Sequence, residues 1–475
     1  MMRISKVTLA ILIALLTILA GCTKKNGPNG LPDYKWTILC YFNGNNSEDQ
    51  TPEGRSYVIQ DLQELEQIGS TDQVQVVAML GSFKTEGNCK YYHVEYHPNE
   101  SPSVISSPVL LDLGKKDMSD PATLRDFIRY GVENYWSERY MLVISDHGGG
   151  WKGFCSDAIN GDGNWMTLPE LSSALSGYDF NIIWLYAPSM STLEVGYQLR
   201  DRGDYLLASQ FGTYPTNIMG SSVWLADLTS NPDMRSINLA IDVTKEIYNA
   251  ARRVSENKRV HSALIDLSKM AQVAQDASDL GEALVSGAGA FWGDVWDAWA
   301  SSHVYDELDS ATVDLRNFAR QIQGKTNLNL IIRSDAEDLD ASIHEAVVAQ
   351  HMHPQWYSIG GLSIHLPWNQ TDFDSLDYAE VDLSETEWNS FISTFIQTFS
   401  SSYGGILDVG SVPSGASVYL DGVDTGYKTR AIIRGLFPKQ YELRLAKSGC
   451  NDLVLSIQIT AGDSLVLPLI RLTCP

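Results

Sequence analysis

The stretch Tyr140-Met-Leu-Val-Ile-Ser-Asp-His-Gly-Gly-Gly-Trp151 constrains the fold of this chain more than any other. Tyr140 to Ser145 is an apolar run halted by Asp146-His147 and three glycines. A run of this kind reads as a strand buried on both faces. His147 then stands at the strand's carboxyl end, where open α/β sheets place their sites. Gly148, Gly149 and Gly150 let the backbone approach a neighbour closely and turn its N–H groups toward it. The competing reading is a core histidine before a glycine turn.

A second strand, Asn181-Ile-Ile-Trp-Leu-Tyr-Ala-Pro-Ser-Met190, repeats the pattern. Between the two strands, Thr167-Leu-Pro-Glu170 has the spacing of a helix-opening capping box. Strand, helix, strand is a βαβ unit with parallel strands, and adjacent strands lie about 4.8 Å apart. The end of the second strand, near Pro188, therefore comes within reach of His147. A histidine on one strand end and a nucleophile on the next form a workable dyad.

The segment Asp146-His147-Gly148-Gly149-Gly150-Trp151 resembles the histidine motif of the clostripain-like cysteine peptidases, relatives of the caspases and gingipains. The family's second motif reads Asp-Ala-Cys-Leu-Met, with a Glu on the following helix. Here the chain has Tyr186-Ala187-Pro188-Ser189-Met190 and Glu194, and Ala187, Met190 and Glu194 hold the register without a gap. The resemblance thus puts Pro188 at the nucleophile position. It puts Tyr186 where the family carries the acid that receives a basic substrate side chain. Trp36 to Phe42 with Asn43-Gly-Asn-Asn-Ser-Glu48, His261 to Leu267, and Gly361 to Pro367 are similar to further strings of the family. The resemblance runs from about Tyr34 to Phe399. It implies a caspase-like α/β fold with a mostly parallel sheet, and His147 as the remnant of a dyad. It also implies a peptide-binding cleft around Gly148, Gly149, Tyr186 and Ser189, without peptidase activity. Two alternatives keep an enzyme: Ser189 or Cys155 acting with His147 as a peptidase or amidase. A third function class is a purely structural envelope protein.

Of those substitutes, Cys155 would have to fold back over the glycines. Ser189 neighbours the lost position, but strand alternation points it the other way, and serine needs a stronger activating base. The loop Asp157 to Asn164 invites a calcium reading. Its spacing misses an EF-hand loop, and turn chemistry accounts for Asn160-Gly-Asp-Gly163. His351 and His353 form a tempting metal pair without a third ligand at useful spacing, and read as a helix end. The chain calls for no metal and no cofactor.

At 475 residues the chain exceeds one ordinary core. Arg3 and Lys6 precede an apolar run, Val7 to Leu19, too short for a comfortable spanning helix. It ends Leu19-Ala-Gly-Cys22, which resembles a bacterial lipobox and implies lipidation of Cys22. The competing reading is an ordinary secretory leader or an uncleaved anchor. The expected place is the bacterial cell envelope, held by lipid; Thr23 is not an acidic retention residue, which favours the outer membrane in a host with two. Removing Arg3 and Lys6 with the leader takes the formal charge from −24 to −26. That repels a nucleic-acid backbone and excludes this partner class. Peptide or protein ligands remain.

Export permits disulfides, and Cys450 with Cys474 are placed to staple the terminal segment. Cys40, in an apolar strand, reads as inert core. Beyond Ser400 to Gly405, alternating apolar and polar residues mark short strands, with an Asp421-Gly422 hairpin signal. This part resembles a PEGA domain, a small β-sandwich of bacterial surface proteins. The resemblance implies a spacer or a module facing cell wall or surface carbohydrate. The expected organisation is a leader (1–21), a tether (22–33), an α/β domain (34–399), a linker (400–405) and a β-sandwich (406–475). Within the α/β domain, helices are expected at Arg55–Ile68, Pro121–Tyr135, Ala271–Leu284 and Ala336–Gln350. Strands are expected at Val74–Leu80 and Leu362–Leu366, with an edge strand at Tyr91–Tyr96.

Overall fold

The computed structural model describes residues 34–46, 49–98, 104–212, 219–256, 260–302, 311–354, 359–368, 373–399, 405–436, 439–460 and 463–474. Cys22, the leader and tether, and all of the expected linker but Gly405 lie outside the described residues. In chain order the first half reads β1 (Tyr34–Gly44), α1 (Tyr57–Glu66), β2 (Val74–Ser82), β3 (Asn88–His93), β4 (Val109–Lys115), α2 (Pro121–Asn134) and β5 (Ser137–Ser145). Then come β6 (Phe154–Ser156), β7 (Trp165–Met166), α3 (Leu168–Leu175), β8 (Phe180–Tyr186), α4 (Leu193–Gln198), β9 (Gly203–Ala208), α5 (Ser221–Ser230), α6 (Ser236–Val254) and β10 (His261–Asp266). The rest of this part is α7 (Met270–Gly287), α8 (Trp292–Ser302), β11 (Thr312–Asp314), α9 (Leu315–Gln323), α10 (Leu330–Ala346), β12 (Val347–Met352), β13 (Ser363–His365), α11 (Ser375–Tyr378) and α12 (Glu387–Phe399).

A nine-stranded sheet runs β12-β10-β9-β8-β5-β1-β2-β3-β4. Its five central strands are parallel, and antiparallel strands close both edges. The apolar runs of β1, β2, β5 and β8 explain this centre, because each strand buries both faces. Along β1, Leu39 and Tyr41 enter one core while Trp36, Ile38, Cys40 and Phe42 enter the other. Helices α1, α5 and α6 cover the second face, while α2, α3, α7, α9, α10 and α12 cover the first. From β1 the chain turns one way to β2; from β5 it turns the other way to β8 and β9. The switch point therefore falls between β1 and β5, where crevices form at carboxyl ends of strands.

Three expectations change. The strand expected at Tyr91–Tyr96 is β3, and it is not the edge: β4 pairs outside it, with two register shifts. The helix expected through Gln350 stops at Ala346, so His351 lies on β12 opposite Ser262 and not at a helix end. Gly405 does not belong to a linker; it opens the first strand of the terminal unit. The helix starting with Thr167 does close its capping box: Thr167 Oγ1 accepts from Glu170 N at 3.3 Å, and Glu170 Oε2 accepts from Thr167 N at 2.9 Å.

The terminal unit holds β14 (Gly405–Val409), β15 (Ser411–Val412), β16 (Ser417–Leu420), β17 (Val423–Lys428), β18 (Ala431–Leu436), β19 (Gln440–Ala446), β20 (Leu453–Gln458), β21 (Ser464–Val466) and β22 (Ile470–Arg471). A four-stranded sheet, β17-β16-β19-β20, and a three-stranded sheet, β18-β14-β21, enclose a core that includes Leu407, Val409, Val418, Leu443, Leu445 and Ile457. Asp421 and Gly422 make the hairpin turn with φ of 50° and 84°, the conformation that favours glycine at the second position. Cys450 and Cys474 are joined by a disulfide, a cross-link worth about 3 kcal/mol for a loop of this size.

Candidate functional site

Strands β5 and β8 are adjacent and parallel, and Ser145 pairs with Tyr186. Their continuations, Asp146-His147-Gly148 and Ala187-Pro188-Ser189, leave the sheet side by side. Contact between them is close: a methyl group on Gly148 would collide with the Pro188 carbonyl oxygen and with the Met190 side chain. That contact, and not an unusual φ, requires glycine at 148. Gly150 has φ 59° and faces the Ser189 carbonyl. His147, Gly148, Tyr186, Pro188 and Ser189 are thus brought together. Gly149 is present but already engaged: its N–H donates to Gly153 O at 3.0 Å. It does not offer the ligand-facing amide expected of it. The Gly148 N–H has no acceptor among the described residues.

Ser189 carries φ 56°, a left-handed conformation uncommon outside glycine. The alternation argument against it does not apply, because β8 has already ended at Tyr186. Its N–H donates to Phe211 O at 3.1 Å, and Ser191 N donates to Ser209 O at 2.8 Å. These bonds tie the end of β8 to the end of β9. Tyr186 turns to the core face that includes Trp184, with ring centroids 5.1 Å apart.

Cys155 does fold back over the glycines. Its N–H donates to His147 O at 3.0 Å, so β6 returns along the His147 turn. The side chain is nonetheless fully buried, and its Sγ lies 3.3 Å from Met118 O and 3.4 Å from Asn43 Nδ2. Burial, with the Asp146 carboxyl beside it, pushes the thiol well above its ordinary range. A thiol kept protonated is a poor nucleophile.

The end of β1 and the loop after it hold this turn from the side. Asn43 Nδ2 donates to Asp146 Oδ2, and to Ser156 O at 3.0 Å. Asn46 Nδ2 donates to Asp146 Oδ1 at 3.3 Å. Asn45 Nδ2 donates to Asp157 Oδ2 at 2.7 Å, and Asn45 O accepts from Ala158 N at 2.9 Å. Burial raises the Asp146 carboxyl well above the usual carboxylate range, against the donors from His147 N, Cys155, Asn43 and Ser156 N. Sequence reasoning assigned these asparagines and Asp146 no role. The available signal was three asparagines within four residues, at 43, 45 and 46, where the buried strand β1 ends.

Asp157 accepts from Met118 N, Ile159 N, Asn160 N and Asn45 Nδ2, so its carboxylate is filled by N–H donors and not presented to a cation. Among the described residues no group of three or more His, Cys, Asp and Glu is placed to hold a metal ion. Glu194 is buried, accepts from His365 N at 2.9 Å and from Tyr378 Oη at 3.2 Å, and joins α4 to β13 and α11. His261 is buried with Nδ1 accepting the Gln210 N–H at 3.0 Å. Burial pushes its pKa down to about 3, so it remains neutral and belongs to the fold.

Residues 41–395 match the clostripain family, and residues 404–469 match the PEGA domain. Over 116 residues the chain is 31% identical to clostripain of Hathewaya histolytica. That stretch is 22% of this chain and spans 21% of that relative's length. A secreted C11 cysteine protease from Bacteroides thetaiotaomicron, solved in complex with an irreversible peptide inhibitor, superimposes with a TM-score of 0.57 at 19% identity. The match covers 76% of this chain and 99% of that one. An inactive zymogen C11 protease from Parabacteroides distasonis gives 0.56 at 18% identity over 74% and 98% of the two chains. At such identities these likenesses speak for the fold alone. The fold is that of the caspase-like C11 proteases, with terminal strands added.

Proposed function

The chain belongs to the clostripain family, and we propose that it is a member whose cleft binds peptide without cutting it. One observation carries this reading: proline stands at position 188, at the carboxyl end of the strand next to the His147 strand. Cysteine catalysis needs a thiolate made nucleophilic by a neighbouring histidine. Proline has no nucleophilic atom, and it has no N–H to donate to an oxyanion. The Gly148 N–H, beside His147, is a group that can meet a peptide carbonyl. Tyr186 at the position of the family's acid removes the reason to prefer arginine or lysine. The supporting experiment is selection of peptides from a random heptamer library on immobilised protein. Retention of defined sequences by wild type, lost in His147→Ala, supports the reading; no retention of any peptide contradicts it and favours a purely structural envelope protein.

The second reading, an active peptidase or amidase, draws on Ser189. Backbone strain at a strand end often accompanies function, and Ser189 is held at φ 56°. Cys155, with its buried and protonated thiol, is the weaker nucleophile.

The proposal extends to place. The protein is a bacterial envelope lipoprotein anchored through acyl chains on Cys22, with the PEGA-like unit as spacer or as contact to wall or surface carbohydrate. No helix among the described residues is long and apolar enough to cross a membrane. Acyl chains at about 0.8 kcal/mol per buried CH₂ hold a protein to a bilayer durably when several are present. Cys22→Ala shifts the protein from the membrane to the soluble envelope fraction; unchanged membrane association, with the leader intact by mass spectrometry, contradicts the anchor.

A further inference from the structure

We propose that Asn43 and Asn46 are positioning residues for the His147 cleft, acting through Asp146; the ligand half of this inference rests on the peptide-binding reading above. The end of β1 with the loop after it and the turn after β5 are about a hundred residues apart in sequence, yet they meet at a carboxyl group. Asn43 Nδ2 binds one oxygen of Asp146 and Asn46 Nδ2 the other. Asn43 Oδ1 accepts from Asn45 N at 3.1 Å, and Asn46 Oδ1 accepts from Asp49 N at 3.0 Å. Both amides are therefore fixed in orientation by backbone N–H groups two and three residues further on before they reach across. Asn43 is 1% exposed, so water cannot replace it.

The geometry has a direct consequence at His147. Asp146 also accepts from the His147 N–H at 2.5 Å, which sets the peptide unit that leads into the turn. On the return side Asn43 reaches Ser156 O at 3.0 Å, and Cys155 N closes the turn on His147 O at 3.0 Å. One amide side chain thus holds both arms of the turn that carries His147 and the Gly148 N–H. Both oxygens of Asp146 accept here, so the site needs donors. Asparagine supplies two, whereas aspartate at position 43 would place a like charge against Asp146, and two touching carboxylates cannot both ionise. The titratable groups against Asp146 are Tyr41 of β1, Cys155 of β6 and His147 itself; Cys89 and Asp157 lie one contact away, on Asn45. Within this set no lysine or arginine is present to neutralise a second carboxylate.

The test compares Asn43→Ala and Asn43→Asp in the full chain, at a temperature where circular dichroism shows both folded. The first readout is amide hydrogen exchange over residues 146–156, including Gly149 and Cys155. Asn43→Ala speeds exchange there at least tenfold and leaves β2 and β8 as in wild type. The second readout is affinity for a fluorescein-labelled heptapeptide selected by the wild-type protein. Asn43→Ala weakens it at least tenfold at every pH. Asn43→Asp, which sets a second carboxyl against Asp146, also weakens it at pH 7.5. A merely structural asparagine would lower the melting temperature and leave the folded protein's local exchange and affinity unchanged; that result overturns the proposal. If wild type selects no peptide while Asn43→Ala still loosens 146–156, the positioning role stands and the binding function fails. Wild-type exchange over 146–156 in Asn43→Ala overturns the positioning role whatever the ligand result.

Discussion

Replacing Asp61 with asparagine makes the folded chain more stable at pH 7.5, and the gain vanishes toward pH 4. Asp61 lies on α1 with 3% of its surface exposed, and its Oδ1 has no donor among the described residues. Glu64, one turn along the same helix, is also buried; it accepts from Ser222 through Oε1 while Oε2 has no donor. Asp49 at the start of the helix binds Ser56 and Ser82 hydroxyls. Among the described residues none of the three forms an ion pair. Burial, with Glu64 and Asp49 adding, pushes the Asp61 carboxyl well above the ordinary range. Burial likewise pushes Asp49 up to about 6.

The sign follows from linkage. A carboxyl whose folded pKa is raised holds its proton more tightly in the folded state. Its contribution to stability is fully present below the unfolded pKa near 4, and is lost as pH rises through the folded pKa. Within that window the slope is about 1.4 kcal/mol per pH unit and per group. At pH 7.5 the ionised form of Asp61 is therefore a net handicap to the folded state. Asparagine keeps the shape and removes the charge. His261 works in the opposite direction: its pKa, depressed to about 3, loses stability as pH falls below about 6.5. The wild-type pH profile therefore mixes the two, and the difference between wild type and Asp61→Asn isolates the carboxyl. Urea unfolding of both proteins at pH 4.5 and 7.5 measures it. A destabilised variant at pH 7.5, or a gain that does not change with pH, contradicts the assignment.

The centre of the sheet was legible in sequence because β1, β2, β5 and β8 are apolar on both faces, and only a doubly covered strand can afford that pattern. The edges were not. β4 alternates weakly, pairs through two register shifts and leaves Val109 and Leu111 exposed, so no periodicity announces it. β12 follows α10 without a glycine or proline to stop the helix, and its Val347-Val-Ala-Gln350 extends the helical pattern by composition. Only pairing with β10 makes it a strand. At the site, His147 and Pro188 could be brought together from a βαβ unit alone. The engagement of Gly149 by Gly153, the return of Cys155 to His147 and the asparagine contacts on Asp146 all depend on how the loops pack, and no local spacing encodes them.

Building in the thiol and the acid that the proposed reading takes as replaced gives the largest expected change in activity. Tyr186→Asp together with Pro188→Cys places a thiol next to the His147 turn and an acid on β8, the strand whose end adjoins that turn. In a serine peptidase, loss of the nucleophile costs about 10⁶ in rate, so even a poorly placed thiolate stands out against background. The double variant cleaves arginyl and lysyl peptides at least about tenfold faster than wild type, and iodoacetamide abolishes the gain. Pro188→Cys alone cleaves with less preference for basic residues, because Tyr186 still faces the apolar cluster of Trp184. A double variant that is folded, thiol-reactive and inert would show that the cleft has drifted from peptidase geometry, and would count against a peptide-shaped site.

The direct test of the account is turnover by the unaltered protein. Wild type and His147→Ala are assayed side by side on arginyl and lysyl peptide substrates and on the random heptamer library, with cleavage read by mass spectrometry. With Pro188 beside His147 and the Cys155 thiol buried, the account predicts equal rates at background for both proteins. Wild-type turnover clearly above His147→Ala contradicts it, and assigns His147 a working nucleophile, with Ser189 first in line.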